Sequence, residues 1–572
     1  MSVVMDRREQ RIAAPRQLEF LPPHLMVRRE PVLRLAEPLV DKPEQDNFHL
    51  SQARKLTERN RNSPAAWARL AQAELASDNR GAATGAALNA LKMMDPLDGG
   101  AALAASIVLV ACGRTEDAER ALGRLEGTQK TRSLSPLRTF RATLAAQRGD
   151  FKQALRLVAG VGSPEAWSLQ GWINLEQHDY PNAIKFYRRS LREGKADPEV
   201  LTNIGYAHAA LGQRDRAIRD TQYALSLRPA NHSRVGLNLV AYYCAEGAFD
   251  DAIEVLRTLQ EGAPRNLDLW FAEADVHLSR GNPEQAHRTL RRIRTGLWAH
   301  LSESQQAELT ANLAFLGWMI EKHSKREAAT EILRELKRVD YSTPRLAEML
   351  PPLLDRFSDA KTLREVMVST LRANPDKPLR FLDMNLAVLE KRFAEATALS
   401  VAWVEDEPLN SAPAVAATFL LADVAGDPEA AIELGLKALR RMPAAKSLAN
   451  NVAYSLALAG RAEEAKRFVP EDHSPQSAAT AGLVALCLGD RKRAIECYGR
   501  AFSRAARTND SDLEALVALN AMMAVRCFGG DLTDEDLGVP ALTPSEAWAD
   551  QPRFEITFKR LERMGIELSR LD

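Results

Sequence analysis

Ten histidines and five cysteines are the residues best equipped for chemistry in this 572-residue chain, and their spacing does not gather them into a site. The histidines are dispersed. No His-Glu-x-x-His occurs, the pattern that places two imidazoles and a carboxylate on one helical face for zinc. Glu284 and His287 lie one helical turn apart, but no further ligand pair accompanies them, so they read as a surface contact. Cys112, Cys244, Cys487, Cys497 and Cys527 are scattered and odd in number, with no Cys-x-x-Cys, and read as reduced thiols. Cys487 and Cys497 fall on the two helices of one hairpin, where buried free thiols are the ordinary outcome. No phosphate-binding loop is present, and Gly160-Val161-Gly162 links two helical segments. Without a nucleophile–base pair, a metal set or a nucleotide loop, the expectation is a protein that is not an enzyme and takes no cofactor or metal.

Charge is the next candidate for function. Arg188, Arg189 and Arg192 share one segment, Arg288, Arg291, Arg292 and Arg294 a second, and Arg491, Lys492 and Arg493 begin a third. A nucleic-acid track needs a basic excess. Here 76 basic residues balance 76 acidic ones, so these clusters read as solvated helix faces and nucleic acid is not the expected partner. The longest apolar run, Ala101 to Cys112, is too short to span a bilayer, and Met1 to Glu19 lacks the apolar stretch of a secretory signal. The expected setting is cytoplasmic, with no membrane contact.

The elements that position these residues are helices. Hydrophobic residues are 45% of the chain but aromatics only 6%, the hydrophobic share being carried by Ala and Leu, which favours helix over sheet. The helices recur in phase. A Gly is followed five residues later by an Ala at Gly113/Ala118, Gly149/Ala154, Gly212/Ala217, Gly247/Ala252, Gly281/Ala286, Gly426/Ala431, Gly460/Ala465 and Gly489/Ala494. With Ala83 and Ala183 included, the alanines up to Ala286 are 35, 36, 29, 34, 35 and 34 residues apart; Ala396, Ala431, Ala465 and Ala494 are 35, 34 and 29 apart. Between Pro198 and Pro229 one period can be read in full. A first helix carries Val200, Leu201, Ile204, Gly205 and Leu211 at helical spacing; Gly212 ends it; a second carries Ala217, Ile218, Ala224, Leu225 and Leu227; Pro229 stops it. Small Gly205 and Ala217 let the two helices approach closely. Asn282-Pro283 and Asp427-Pro428 read as polar caps followed by a proline whose missing N–H costs nothing.

This pattern resembles the tetratricopeptide repeat. Trp167, Gly171, Ala183 and Tyr187 match its signature in one unit, and Gly205, Ala217, Ala224 and Pro229 in the next. Trp270, Ala274 and Ala286 match another, Gly482, Ala494, Tyr498 and Ala501 a late one, and the stretch from Asn450, Asn451, Ala453 and Tyr454 to Ala465 is similar. The resemblance covers about residues 63–300 and 376–503. It implies an all-α fold, a right-handed α-solenoid of helical hairpins, and a protein-binding scaffold or adaptor. The alternative is a regulatory sensor whose groove takes a peptide or small ligand and changes solenoid curvature.

In that family the first helix of each hairpin lines a concave groove. Counting from the matched Gly/Ala positions places Glu165, Ser168, Trp172, Glu199, Thr202, Tyr206, Arg234, Asp268, Phe271 and Asp275 towards it. Trp172, Tyr206 and Phe271 are the expected aromatic anchors. Glu165, Glu199, Asp268 and Asp275 point to a basic or mixed-charge protein or peptide segment. Of the family's carboxylate-clamp residues only Asn203 matches, while Ser168 and Trp172 occupy other clamp positions, so binding of chaperone tails is not expected.

The ladder divides the chain. Residues 1–47 form a proline-containing tail, partly disordered or packed on the first repeats, and 48–300 a first array. Residues 301–375 are irregular helical repeats with a helix near Ser302 to Lys322, where Gly317 and Ala329 keep the spacing of twelve. Residues 376–506 form a second array, and 507–572 hold C-terminal helices and an acidic linker from Asp531 to Asp550. A last amphipathic helix, Arg553 to Leu571, suits a terminal cap or a dimerisation surface.

Overall fold

The computed structural model describes residues 43–566 apart from 78, 94–98, 127–134, 228, 230, 231, 376, 473, 509, 541, 543 and 544. The proline-containing tail therefore lies almost wholly outside the described residues. The chain divides into two compact units: Ala230 closes the first and Asn231 opens the second, with which the Gly212–Arg214 turn is grouped.

In the N-terminal unit the helices are α1 (Pro43–Arg59), α2 (Pro64–Ala76), α3 (Arg80–Lys92), α4 (Gly99–Ala111), α5 (Thr115–Glu126), α6 (Ser135–Gln147), α7 (Phe151–Val158), α8 (Pro164–Glu176), α9 (Tyr180–Glu193), α10 (Pro198–Ala210) and α11 (Arg214–Ser226). The C-terminal unit begins with α12 (His232–Glu246), α13 (Phe249–Gly262), α14 (Leu267–Ser279), α15 (Pro283–Leu297), α16 (Glu303–Met319), α17 (Lys325–Arg338) and the short α18 (Pro344–Glu348). It continues with α19 (Ala360–Ala373), α20 (Arg380–Leu389), α21 (Phe393–Asp406), α22 (Ser411–Phe419) and α23 (Pro428–Leu439). It ends with α24 (Lys446–Leu458), α25 (Ala462–Ala465), α26 (Pro475–Cys487), α27 (Arg491–Ala506), α28 (Ser511–Phe528) and α29 (Pro552–Arg563). The architecture is all-α, an α-solenoid of consecutive helical hairpins such as α8/α9, α16/α17 and α26/α27. Among the described residues no helix is long and apolar enough to cross a membrane.

Local chemistry explains the hairpins. All eight glycines of the Gly/Ala ladder have positive φ, from 70° to 85°, the left-handed conformation that closes a helix where a Cβ would be strained. After Gly149, Gly281, Gly426 and Gly489 the next helix is capped by Asp150, Asn282, Asp427 and Asp490, each accepting a hydrogen bond from a first-turn backbone N–H, as Asp179 does after His178. Inside the hairpin a small residue on the first helix faces a larger one four positions after the ladder alanine. A Cβ built on Gly171 would lie 2.7 Å from the Tyr187 ring, on Gly205 2.5 Å from Thr221 Oγ1, and on Gly482 2.6 Å from the Tyr498 ring.

Irregularities in the spacing have structural counterparts. The two 29-residue gaps coincide with the shortest second helices of the array, α7 and α25. Residues 301–375 keep hairpin character. Ser302 and Ser324 start α16 and α17 with reciprocal capping boxes to Gln305 and Glu327. One apolar core runs without interruption from Leu267 through Leu309, Ile332, Leu346 and Leu363 to Leu389, so this segment shares its interior with the repeats on both sides.

In α22 the helix continues into a π turn, Leu420–Ala425, which inserts one extra residue before Gly426. The small-to-large contact is inverted there. The glycine is Gly435 on the second helix, and its Cβ position lies 3.2 Å from Thr418 on the first.

After α28 the chain passes through the acidic run. Asp531, Glu535, Asp536 and Glu546 are exposed, while Leu537 and Trp548 are buried. Trp548 stacks on Phe554 at 4.6 Å, and this pair brings α29 back against α28 and α24. Residues 567–572, expected to extend this helix, lie outside the described residues.

Candidate functional site

Six of the ten sequence-derived groove residues lie in the N-terminal unit. Glu165 is exposed, and Ser168, Trp172 and Glu199 are half-buried. Trp172 meets Phe151 edge-on at 6.1 Å. Thr202 is buried, its hydroxyl donating to the Pro198 carbonyl at 2.7 Å. Tyr206 is 4% exposed and tilted against Tyr180. The other four lie in the C-terminal unit. Arg234 is half-buried, and burial lowers its pKa. Asp268 is exposed and pairs with Arg345 at 3.5 Å, a cation that also holds Glu308 at 3.1 Å. Phe271 is 1% exposed within the core that holds Leu267 and Leu290, and Asp275 is buried. The accessible members are thus Glu165, Ser168, Trp172, Glu199, Arg234 and Asp268. Tyr206 and Phe271 are buried, a difference that a count along the sequence does not reveal.

A cavity of about 790 Å³ lies in the C-terminal unit. First helices line it in succession. Phe381, Met384, Asn385 and Val388 come from α20, Val415 and Phe419 from α22, Asn451 from α24, Gln476 from α26, and Leu513 and Leu516 from α28. Its apolar side chains, among them Phe419 at 36% exposed, share the lining with Glu321, Lys322, Lys325, Asp355, Arg356, Asp510 and Asp512. The amides are oriented from below: Asn385 donates to the Phe381 carbonyl at 2.7 Å and Asn451 to the Val415 carbonyl at 3.0 Å. Gln551, Pro552, Arg553 and Ile556, at the start of α29, form one wall.

Sequence counting missed this set. The position eleven residues before the ladder alanine, which gives Trp172 and Tyr206 in the first array, gives Asn385 and Tyr454 in the second. The π turn shifts the count by one in α22, so Phe419 follows Thr418, thirteen residues before Ala431 rather than twelve.

Beside the cavity, α29 is fastened by charge. Arg560 is buried and donates to Asp423 Oδ2 at 2.8 Å, to the Tyr454 hydroxyl at 2.5 Å and to Asn520 Oδ1 at 2.7 Å. Tyr454 in turn donates to Asp423 Oδ1 at 2.9 Å. Burial opposes the Arg560 charge, but Asp423 and Tyr454 more than offset it and hold its pKa above the ordinary guanidinium range. Burial raises the pKa of Tyr454, so the phenol stays neutral. One turn on, Arg563 donates to the Val424 carbonyl at 2.9 Å and to that of Asp423. Lys391 pairs with Glu555 at 2.6 Å, Lys559 sits 4.9 Å over the Phe393 ring, and Asp550 accepts from the Ser358 N–H at 2.8 Å.

The remaining candidates do not assemble chemistry. Among the described residues no three His, Cys, Asp or Glu side chains are placed to hold a metal. His287 is buried, and burial together with Lys322, Arg291 and His323 pushes its pKa down to about 4. That cationic neighbourhood disfavours a metal ion. His208 is a packed histidine, 3.4 Å from Arg188 Nη2 and 3.6 Å from Asp220. The five cysteines are free thiols, and burial raises the pKa of Cys244 to about 12 and of Cys487 to about 11, which keeps both protonated. In the arginine clusters Arg189 lies over Trp167 at 4.4 Å, while Arg288, Arg291, Arg292 and Arg294 are exposed.

Residues 243–295, from the end of α12 to α15, match the family model for the tetratricopeptide repeat. The chain is similar to serine/threonine-protein phosphatase T of Aspergillus oryzae, 24% identical over 200 residues, covering 32% of this chain and 41% of that protein. It is also similar to the heat-shock protein cognate co-chaperone sgt12 of Aspergillus fumigatus, 29% identical over 118 residues, covering 19% and 35%. The chain thus spans about two-fifths and one-third of the length of these two relatives. A solved structure of the APC/C hetero-tetramer Cut9–Hcn1 aligns over 82% of this chain and 85% of that one at 15% identity, with a TM-score of 0.49. The chain thus carries a tetratricopeptide repeat at residues 243–295, set among hairpins that share its glycine turns and small-to-large packing.

Proposed function

We propose that this protein is a non-enzymatic scaffold or adaptor that holds a segment of a partner protein along the first helices of its hairpins. The observation that carries the reading is the cavity of about 790 Å³ lined by α20, α22, α24, α26 and α28. A lining of apolar side chains, amides and charged groups fits a peptide, whose apolar side chains bury against the first while its backbone finds hydrogen-bond partners among the others. Within the N-terminal unit the accessible Glu165, Ser168, Trp172 and Glu199, and within the C-terminal unit Arg234 and Asp268, are candidate contacts of their own, and their carboxylates favour a basic or mixed-charge segment. The fungal co-chaperone named above gives the reading a precedent in kind. The free thiols fit a reducing, cytoplasmic setting.

The test is site-directed photo-crosslinking in cells. A benzophenone amino acid at Phe419 is expected to capture a defined partner peptide, and one at the exposed Ile495 of α27 is not. Capture at 495 with none at 419 would move binding away from the groove and overturn the proposal.

A further inference from the structure

α29 brings to the groove of its own unit the groups that a partner helix would bring, and we infer that it is a displaceable internal ligand. The surface made by Asp423, Val424, Tyr454 and Asn520 takes an amphipathic helix with two arginines one turn apart. In the resting chain that helix is α29; in a complex it is a segment of the partner. This inference rests on the scaffold reading and adds its regulation.

The receiving surface is built for such a ligand. α22 and its π turn end at Gly426, and the last carbonyls of a helix have no partner inside it. They also carry the negative end of the helix dipole, which favours a cation. Arg563 takes two of these carbonyls, Asp423 and Val424, and Arg560 takes the Asp423 carboxylate beside them. Arg560 and Arg563 are three residues apart and so share one helix face. Phe554 and Leu561 pack on Leu519, Met523 and the Tyr454–Leu458 stretch, giving the aromatic and aliphatic half of the ligand.

The attachment is that of a ligand more than of a repeat. α29 follows a loop from Gly529 to Gln551, where the hairpin helices follow tight turns. Its contacts are spread over separate hairpins: Lys391, Phe393, Asp423, Tyr454 and Asn520. The Arg560–Asp423–Tyr454 network is charged and buried, while Arg563, Lys391 and Lys559 are exposed. Such networks lose in desolvation most of what they gain in attraction, and so contribute selectivity more than net stability. A second helix with the same groups can therefore replace the first at small net cost. Gln551, Pro552, Arg553 and Ile556 wall the cavity, so a segment seated there abuts the start of α29.

The experiment uses the full chain and a fluorescein-labelled peptide of residues 545–566. Fluorescence anisotropy is read for the native chain and for the chain carrying Arg560→Ala and Arg563→Ala, whose own α29 is loosened. The peptide is expected to bind the variant at least tenfold more tightly than the native chain, and Asp423→Ala added to the variant is expected to abolish binding. Hydrogen exchange should rise across α29 in the variant and stay unchanged in α26 and α27; if the double variant loses its helical signal, Arg563→Ala alone replaces it. A folded variant that binds no peptide would make α29 a permanent cap. Equal binding to native and variant chains, or binding indifferent to Asp423→Ala, would also overturn the inference. A partner still crosslinked at Phe419 in those cases would leave the scaffold reading standing.

Discussion

Gly482 faces Tyr498 so closely that an added methyl would lie 2.6 Å from the ring, whereas Gly499, on the outer side of α27, has nothing within 4 Å of its Cβ position. The same substitution therefore has opposite signs at the two sites. Gly482→Ala must push α26 from α27 and is expected to destabilise by about 1–3 kcal/mol. Gly499→Ala relieves the entropic cost of a helical glycine and is expected to stabilise by up to about 1 kcal/mol. Apparent melting temperatures followed by circular dichroism should move down for the first and up, or not at all, for the second. His287 gives the residue scale its pH dependence. The unfolded chain protonates this imidazole near pH 6.5, about the ordinary value. The folded chain does so only near pH 4. Between these values the unfolded state binds the extra proton, so stability falls as pH drops from about 6.5 towards 4 and is fully present above that window. A His287→Gln chain should show a smaller fall in melting temperature between pH 7 and pH 4.5; an equal fall would exclude His287 as the source.

At the scale of elements, hairpins are set by their ends. Ser302 and Ser324 each satisfy a first-turn N–H and are reciprocated by Gln305 and Glu327. Ser302→Ala and Ser324→Ala are each expected to lose about 1 kcal/mol, with hydrogen exchange rising first in the opening turn of the affected helix. Faster exchange across the whole hairpin, with no gradient from its start, would show that the caps do not act locally. The hairpin grammar was legible because it is local. Gly212, Gly281 and Gly460 mark turns by residue type, and the shortened 29-residue spacings coincide with the short α7 and α25. What local pattern cannot encode is compensation across the hairpin. The π turn adds a residue in α22 and the glycine moves to position 435 on the partner helix, so a template that looks for a small residue twelve before Ala431 lands on Phe419 and treats a groove residue as a packing residue. Tyr206 and Phe271 show the converse. Their position in the count pointed to the groove, yet both are buried, while Trp172, in the place equivalent to Tyr206, is half-buried.

At the scale of the whole molecule, each hairpin meets chiefly its neighbours, so stability is a sum of local terms. Destabilising α26/α27 through Gly482→Ala is expected to lower hydrogen-exchange protection in those helices and in adjoining α24 and α28 while leaving α16 and α17 unchanged. A uniform loss across the C-terminal unit would mean that it unfolds as one body. The contact least accessible to sequence reading belongs to this scale. Arg560 and Asp423 are separated by 137 residues, and no periodicity links a terminal arginine to a carboxylate in a π turn. An amphipathic last helix was visible from Phe554, Ile556, Phe558 and Leu561; the place where it docks was not.

The constant phase of the hairpins also matters for the gene. Units of 34 or 35 residues that begin and end at equivalent turns can be gained or lost by unequal recombination, and each remaining first helix still finds the neighbour it is shaped for. An exchange out of phase would set first helix against first helix and expose an apolar stripe. The coding sequence is thus free to vary its length in one step size and is held against all others. The two 29-residue spacings show the other route open to it: trimming a second helix while keeping the glycine turns on either side.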